Sequence, residues 1–222
     1  MEIRDRAVHD PVVDLIMPDA YMRWALLAAE EVTGKQGLKI ALRDAGLERL
    51  ADSYPPNELT VTCGLRTGDY ANLFAALTNF FGRAGKSMQL RVGRLSAQHA
   101  IEQQGAVFNL AATMAIRLLP FPAQVKRGLE NMQGGFHKIW ADHGEEMRLW
   151  VIERPNAILY AAETCTSCAG KEADRPICVA FTGVLQESIH WLTGKEADVQ
   201  EIKCRAMGEP ACVWQISKKP RE

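Results

Sequence analysis

The sequence predicts an α+β protein: an N-terminal helical layer packed on a four-stranded antiparallel sheet, with a helix between the two hairpins of that sheet. Two observations carry this. Up to about residue 140, apolar residues recur at steps of three and four, the spacing of one helical face. Beyond Gly144 the period shortens, and two pairs of short β-rich runs are each split by a turn signal. No low-complexity linker divides the chain, so a single domain over residues 1–222 is expected, mainly helical over 1–140 and sheet-forming over 141–218.

Residues 1–17 place Val12, Val13, Leu15, Ile16 and Met17 beside Pro11 and Pro18, an apolar terminus that either docks as an arm or is simply ordered. Asp19 offers an N-cap for a helix bearing Tyr21, Trp24, Ala25, Ala28 and Val32, which Gly34 stops; a second helix runs from Lys35 to Ala45. After Pro55-Pro56, Asp69 caps a helix carrying Tyr70, Leu73, Phe74, Leu77 and Phe81, an aromatic stripe that reads as core before it reads as a pocket. Arg91-Val-Gly-Arg94 opens another helix through Ala100, its arginines expected in solvent or in salt bridges. Val107, Leu110, Ala111, Met114 and Leu118 mark an apolar helix ended by Pro120. From Ala123, the residues Val125, Leu129, Met132, Phe136 and Ile139 form a further apolar face. Gly134-Gly135 weakens that helix by about 1 kcal/mol per glycine. Close helix packing is the expected reason, with opening for a ligand as the alternative.

The first hairpin joins 147–153 to 157–163 through Arg154-Pro155-Asn156, a helix over 177–192 follows, and the second hairpin joins 197–204 to 212–217. Cys212, Trp214 and Ile216 share one face of the last strand.

Composition narrows the function classes. Net charge is −1 with both signs interspersed, so no broad basic surface for nucleic acid is evident. No apolar run approaches the roughly 20 residues of a membrane span, and the polar start is not a signal peptide, so a cytoplasmic location is expected. Six cysteines without an export signal point to metal or redox use rather than a disulfide scaffold.

Four residues near the C-terminus, Cys178, Glu201, Cys204 and Cys212, supply three thiolates and a carboxylate, a full tetrahedral ligand set for zinc. Glu201 and Cys204 are three apart and would face opposite sides of a regular strand, so the strand must end, bulge or turn near Lys203; Gly208 and Pro210 mark the turn. The competing reading is that these cysteines are small buried apolar residues. Cys165-Thr-Ser-Cys168 adds a second pair, able to replace members of the set with Cys204 and Cys212, to act as a redox pair, or to cap the site. Four protein ligands leave no open position, so the metal is expected to be structural.

The pattern Cys178, Gly183, Gly194-Lys195, Glu201-Ile-Lys-Cys204, Gly208 and Cys212 resembles the C-terminal part of the 4-vinyl reductase domain family. That family includes a protein of bacteriochlorophyll biosynthesis, archaeal hydrocarbon-binding proteins and the sensor domains of phenol-responsive activators. In the sensor domains, the positions matching Cys178, Glu201, Cys204 and Cys212 bind a structural zinc. The Cys165/Cys168 pair departs from the sensors and looks closer to the bacteriochlorophyll-linked members.

The resemblance implies an organic-ligand pocket between helices and sheet, to which Met132, Phe136, His137, Trp140, Trp150 and Tyr160 would contribute. His99 and His137 could ligate a tetrapyrrole metal, although a lone histidine is more often a partly exposed polar residue. The leading expectation is a zinc-stabilised carrier or sensor of a hydrophobic or aromatic molecule, such as a chlorophyll precursor, with a homodimer as the expected assembly. The alternatives are an 8-vinyl reductase of a divinyl chlorophyllide and a scaffolding subunit resembling vesicle-tethering proteins. No Gly-x-Gly-x-x-Gly follows a strand, which weakens the reductase reading, and no Walker A pattern is present.

Overall fold

The computed structural model describes residues 3–104 and 116–221. Within them the expected α+β plan is borne out. Strand β1 (Arg4–Asp5) is followed by helices α1 (Asp19–Asp44), α2 (Thr67–Phe81), α3 (Gly85–Gln104) and α4 (Phe121–Ala141). The sheet strands are β2 (Leu149–Glu153) and β3 (Ala157–Ala162), then, after the short β4 (Lys171–Glu172) and helix α5 (Val179–Thr193), β5 (Ala197–Lys203) and β6 (Cys212–Pro220). All four sheet strands are antiparallel, in the order β2-β3-β6-β5.

The two hairpins meet at their second strands. Ile158 pairs with Ile216, Tyr160 with Trp214 and Ala162 with Cys212, so the period of two puts one buried row from each strand against the helices. One hydrophobic cluster runs from Met17 through the faces of α1, α2 and α4 to Trp214 and Ile216. No helix among the described residues is long and apolar enough to cross a membrane.

Gly34, with φ 72° and ψ 162°, leaves the helical conformation inside α1, so the two expected helices meet there across a kink, as the sequence reading had it. Other helix ends differ from that reading in instructive ways. Asp19 lies inside the helix start, not at its cap. Its buried carboxylate instead accepts from the backbone N–H groups of Thr62 (2.8 Å) and Cys63 (3.1 Å) and the hydroxyls of Thr60 (3.0 Å) and Thr62 (2.7 Å). That pins the loop before α2 onto α1. Asp69 sits in the first turn of α2 and accepts from the Arg66 N–H. Of the expected helix over 106–119, Val107, Leu110, Ala111 and Met114 lie outside the described residues, and Leu118 is exposed.

Helices α3 and α5 touch backbone to backbone. A Cβ on Gly93 would stand 1.8 Å from the Ala180 carbonyl oxygen, and one on Gly183 would stand 2.2 Å from that of Leu90. Only glycine on both helices allows this approach. Beside the crossing, Arg94 donates to the buried Glu187 at 2.8 Å and to Glu196 at 2.8 Å, a salt bridge and not a ligand contact. The close approach sets α5, and with it Cys178 at its N-terminal end, at a fixed height above the sheet.

Gly93→Ala should therefore destabilise by about 3 kcal/mol through overpacking, read as a lower denaturation midpoint. Asp19→Asn should cost about 2 kcal/mol, because one amide oxygen cannot serve four donors. Burial alone would raise the Asp19 carboxyl, but hydrogen bonds from Thr62, Cys63 and Thr60 outweigh it and hold the group below its ordinary value of 3.8. Its stabilisation is thus present above that value and lost as pH falls through the lower folded value. In urea midpoints measured against pH, Asp19→Asn should remove part of the acid-side slope.

Candidate functional site

Three separated segments bring five buried cysteines together. The 3-10 turn Thr166–Cys168 follows β3, Cys178 precedes the first turn of α5, and Cys204 and Cys212 flank the β5–β6 connection. In a 3-10 turn, residues three apart eclipse, so Cys165 and Cys168 both point inward. The β5–β6 register shifts between Glu201 and Lys203, and Arg205–Met207 makes a further 3-10 turn closed by Gly208 at φ 88°. This irregularity lets Glu201 and Cys204 reach the same point despite their odd spacing.

The donor atoms of Cys178, Glu201, Cys204 and Cys212 all lie within 4.8 Å of one another. So do those of Cys165, Cys168, Cys178 and Cys212. Cys165 and Cys168 therefore fall in a quartet with Cys178 and Cys212, not in the one with Cys204 and Cys212 that the sequence left open. The Sγ–Sγ distances are 3.7 Å for Cys178–Cys212, 3.9 Å for Cys178–Cys204, 4.0 Å for Cys204–Cys212, 3.6 Å for Cys165–Cys178 and 3.4 Å for Cys168–Cys212. These are too long for disulfides, and all the cysteines are free. Metal–sulfur bonds of about 2.3 Å give a tetrahedron with edges of about 3.8 Å, the spacing seen here. The buried cluster is thus a donor set that can bind a metal.

Its electrostatics make the same point. Thiol donors led by Cys168 hold Cys165 well below the ordinary thiol value. Burial pushes Cys178 and Cys212 well above it, and burial with the neighbouring Cys204 pushes Glu201 up to about 9. The groups cannot all ionise together without a cation among them. Glu201 accepts from the Cys178 N–H at 2.9 Å through Oε2, while its buried Oε1 has no hydrogen-bond partner among the described residues. An orphaned carboxylate oxygen beside thiolates fits a metal ligand.

The N-terminal arm braces this cluster from outside. β1 pairs with β4, just beyond the Cys165–Cys168 turn. Asp10, 4% exposed, accepts from the Arg205 guanidinium at 2.7 Å, the Gly170 N–H at 3.0 Å and the Val12 N–H at 3.2 Å. Arg6 donates to the Arg205 carbonyl, and the Arg205 N–H points at Cys212 Sγ at 3.3 Å. Sequence reasoning left the arm's target open, because its anchors, Asp10 and Arg205, are 195 residues apart.

A cavity of about 490 Å³ lies against the cluster, between the helical layer and the sheet. An aromatic cage lines it: Tyr21 and Trp24 from α1, Phe136 and Trp140 from α4, Tyr160 from β3, Phe181 from α5 and Trp214 from β6. Their rings touch in series, with centroids 5.2 Å apart for Tyr21–Trp140, 5.6 Å for Tyr160–Phe181 and 4.8 Å for Phe181–Trp214. Two polar atoms of this cage, Trp140 Nε1 and the Tyr160 hydroxyl, are buried without a hydrogen-bond partner among the described residues. Cys165, Thr166 and Ser167 also line the cavity, so one loop serves both features.

Of the ligand residues expected from sequence, Met132, Phe136, Trp140 and Tyr160 line the cavity. His137 and Trp150 do not: His137 is one residue, some 100° of helix, beyond Phe136, and Trp150 alternates with Leu149 to the exposed face of β2. His99 pairs with Glu31 at 2.7 Å away from the cavity wall. Gly134 and Gly135 line the cavity, and a Cβ on either meets no atom of the described residues within 4 Å. The close helix packing expected there is therefore corrected to cavity lining. Tyr21, Trp24, Phe181 and Trp214 were missed as a group because each reads as core on its own element.

Residues 158–218 match the V4R domain. This is the 4-vinyl reductase family expected from the cysteine pattern, and the match includes all of the thiolate cluster. None of the curated proteins matches the chain. Solved structures share the fold over nearly its full length. An oxygen-binding H-NOX domain related to soluble guanylate cyclases, in its oxygen complex, is 15% identical and covers 92% of this chain and 96% of its own, at a TM-score of 0.57. A single-residue mutant of the T. tengcongensis H-NOX is 14% identical, covering 93% of this chain and 100% of its own, at 0.58. An H-NOX protein from S. oneidensis in the Fe(II)NO state is 10% identical, covering 90% and 99%, at 0.53. At such identities the likeness is one of fold. It places the V4R segment and the preceding helices in one architecture.

Proposed function

We propose that this V4R protein is a carrier or sensor module that holds one hydrophobic, aromatic molecule in the cage between helices and sheet, above a structural zinc. The observation that carries this is the cavity itself, apolar and aromatic around two unpaired buried donors, Trp140 Nε1 and the Tyr160 hydroxyl. A buried polar group without a partner costs about 1–3 kcal/mol, so a ring-bearing guest with a carbonyl or carboxyl acceptor would recover part of that. A flat tetrapyrrole precursor or a smaller aromatic ketone fits this description. The structural neighbours include proteins described by heme distortion. Here the cavity lining includes no histidine among the described residues, and the chain's five histidines are all described, so stacking and hydrogen bonding, not a histidine–metal bond, would hold the guest.

Zinc suits the cluster because soft thiolates with one carboxylate in a closed tetrahedral set select it. Cys178, Glu201, Cys204 and Cys212 would hold it, tying the start of α5 to the β5–β6 turn. When bound, the ion supplies positive charge and a crosslink. Because Cys165–Ser167 borders both cluster and cavity, a change in the guest would be felt at the metal loop, which is what a sensor requires.

The reading is tested by titrating metal-free porphyrins and aromatic ketones into the purified protein. Saturable binding of one molecule per chain, recovered unchanged, is expected. Tyr160→Phe should weaken binding by about 5–10-fold without lowering Tm, because the hydroxyl it removes has no partner among the described residues. Absence of saturable binding would contradict the proposal, and turnover with consumption of a reductant would favour a vinyl reductase instead. For the metal, Cys204→Ser should reduce bound zinc and lower Tm by roughly 6–12 °C, for a loss of about 3 kcal/mol. Full zinc with unchanged melting would refute the assignment.

A further inference from the structure

The zinc ligands proposed above leave Cys165 and Cys168 unused, although both are nearly fully buried, at 4% and 0% exposure. Each touches one of those ligands: Cys165 lies 3.6 Å from Cys178, and Cys168 lies 3.4 Å from Cys212. The two quartets of converging donors therefore share a single edge, the 3.7 Å line between Cys178 and Cys212. Two tetrahedra joined along an edge are the geometry of two metal ions bridged by two thiolates.

We infer that the cluster holds two divalent ions, bridged by Cys178 and Cys212, with Cys204 and Glu201 completing the first site and Cys165 and Cys168 the second. The sulfur spacings fit: Cys165–Cys178, Cys168–Cys212 and the shared edge, 3.4–3.7 Å, match the 3.7–4.0 Å edges among the thiolates of the first quartet. Charge favours the second ion as well. Fully deprotonated, the six donors would carry six negative charges, which one divalent ion would reduce to −4 and two to −2 in a buried site. A sulfur can bridge because a thiolate retains lone pairs after binding one ion, whereas Glu201 and the remaining cysteines each serve one. Binding is a ligand exchange: each thiol gives its proton to solvent as its metal–sulfur bond forms, and no redox partner is needed. The second ion would lie on the cavity side, since Cys165 lines the cavity.

The inference rests on the first zinc site, and the test separates the two. Native mass spectrometry of protein purified under reducing conditions should show two zinc ions per chain, and the double variant C165S/C168S should keep one. Reconstitution with ¹¹³Cd should give two resonances in the thiolate-rich range, split by coupling through the shared sulfurs; the double variant should show one unsplit resonance. The wild-type spectrum carries the test even if the variant fails to fold. One ion per chain, with Cys165 and Cys168 open to alkylation as thiols, overturns the second site and leaves the first. Two uncoupled resonances also overturn it. No bound metal overturns both.

Discussion

Six buried donors, five thiols and one carboxyl, converge in two quartets that share Cys178 and Cys212, and the repulsion they would feel on ionising is the constraint on which the C-terminal half depends. Burial alone pushes Cys178, Cys212 and Glu201 toward their neutral forms. A chain that wanted only an apolar core would place alanine or valine here. The fold instead spends irregular backbone on convergence: two 3-10 turns, a register shift in β5 and a left-handed Gly208. Such local departures from regular sheet are expected where side chains must be re-aimed at a common centre. A cation in that centre would turn the repulsion into attraction and join α5 to both hairpins.

The surroundings enclose the cluster closely on two sides. The N-terminal arm reaches across the whole sequence so that Asp10 can hold Arg205, one residue from Cys204, and the Arg205 N–H lies on Cys212. On the other side, Gly93 and Gly183 let α3 press on α5, which carries Cys178 at one end and Phe181 into the cavity. Cluster and cavity are therefore two faces of one packed unit. The loop 165–167 is their common wall.

Much of this was legible in the sequence where the signal is local. The change of period after Gly144 marks the two hairpins, and the odd spacing of Glu201 and Cys204 demands the irregularity seen near Lys203. Long-range pairing was not legible. Nothing local shows that Cys165 and Cys168 would meet Cys178 and Cys212, because a 3-10 turn and a helix start aim them only in the folded chain. The β1–β4 pairing joins segments of two residues each, too short for any periodic signal. Gly134-Gly135 shows the limit from the other side: glycine on a helix permits close packing or leaves space, and only the neighbours decide. The aromatic cage was half visible, as Met132, Phe136, Trp140 and Tyr160, because the residues that complete it sit on helices and strands remote in sequence.

X-ray absorption at the zinc edge of freshly purified protein reads the cluster's contents directly. The account predicts a first shell dominated by sulfur at about 2.3 Å with a minor oxygen contribution. A shell of nitrogen and oxygen alone, or no zinc signal in correctly folded protein, would contradict it.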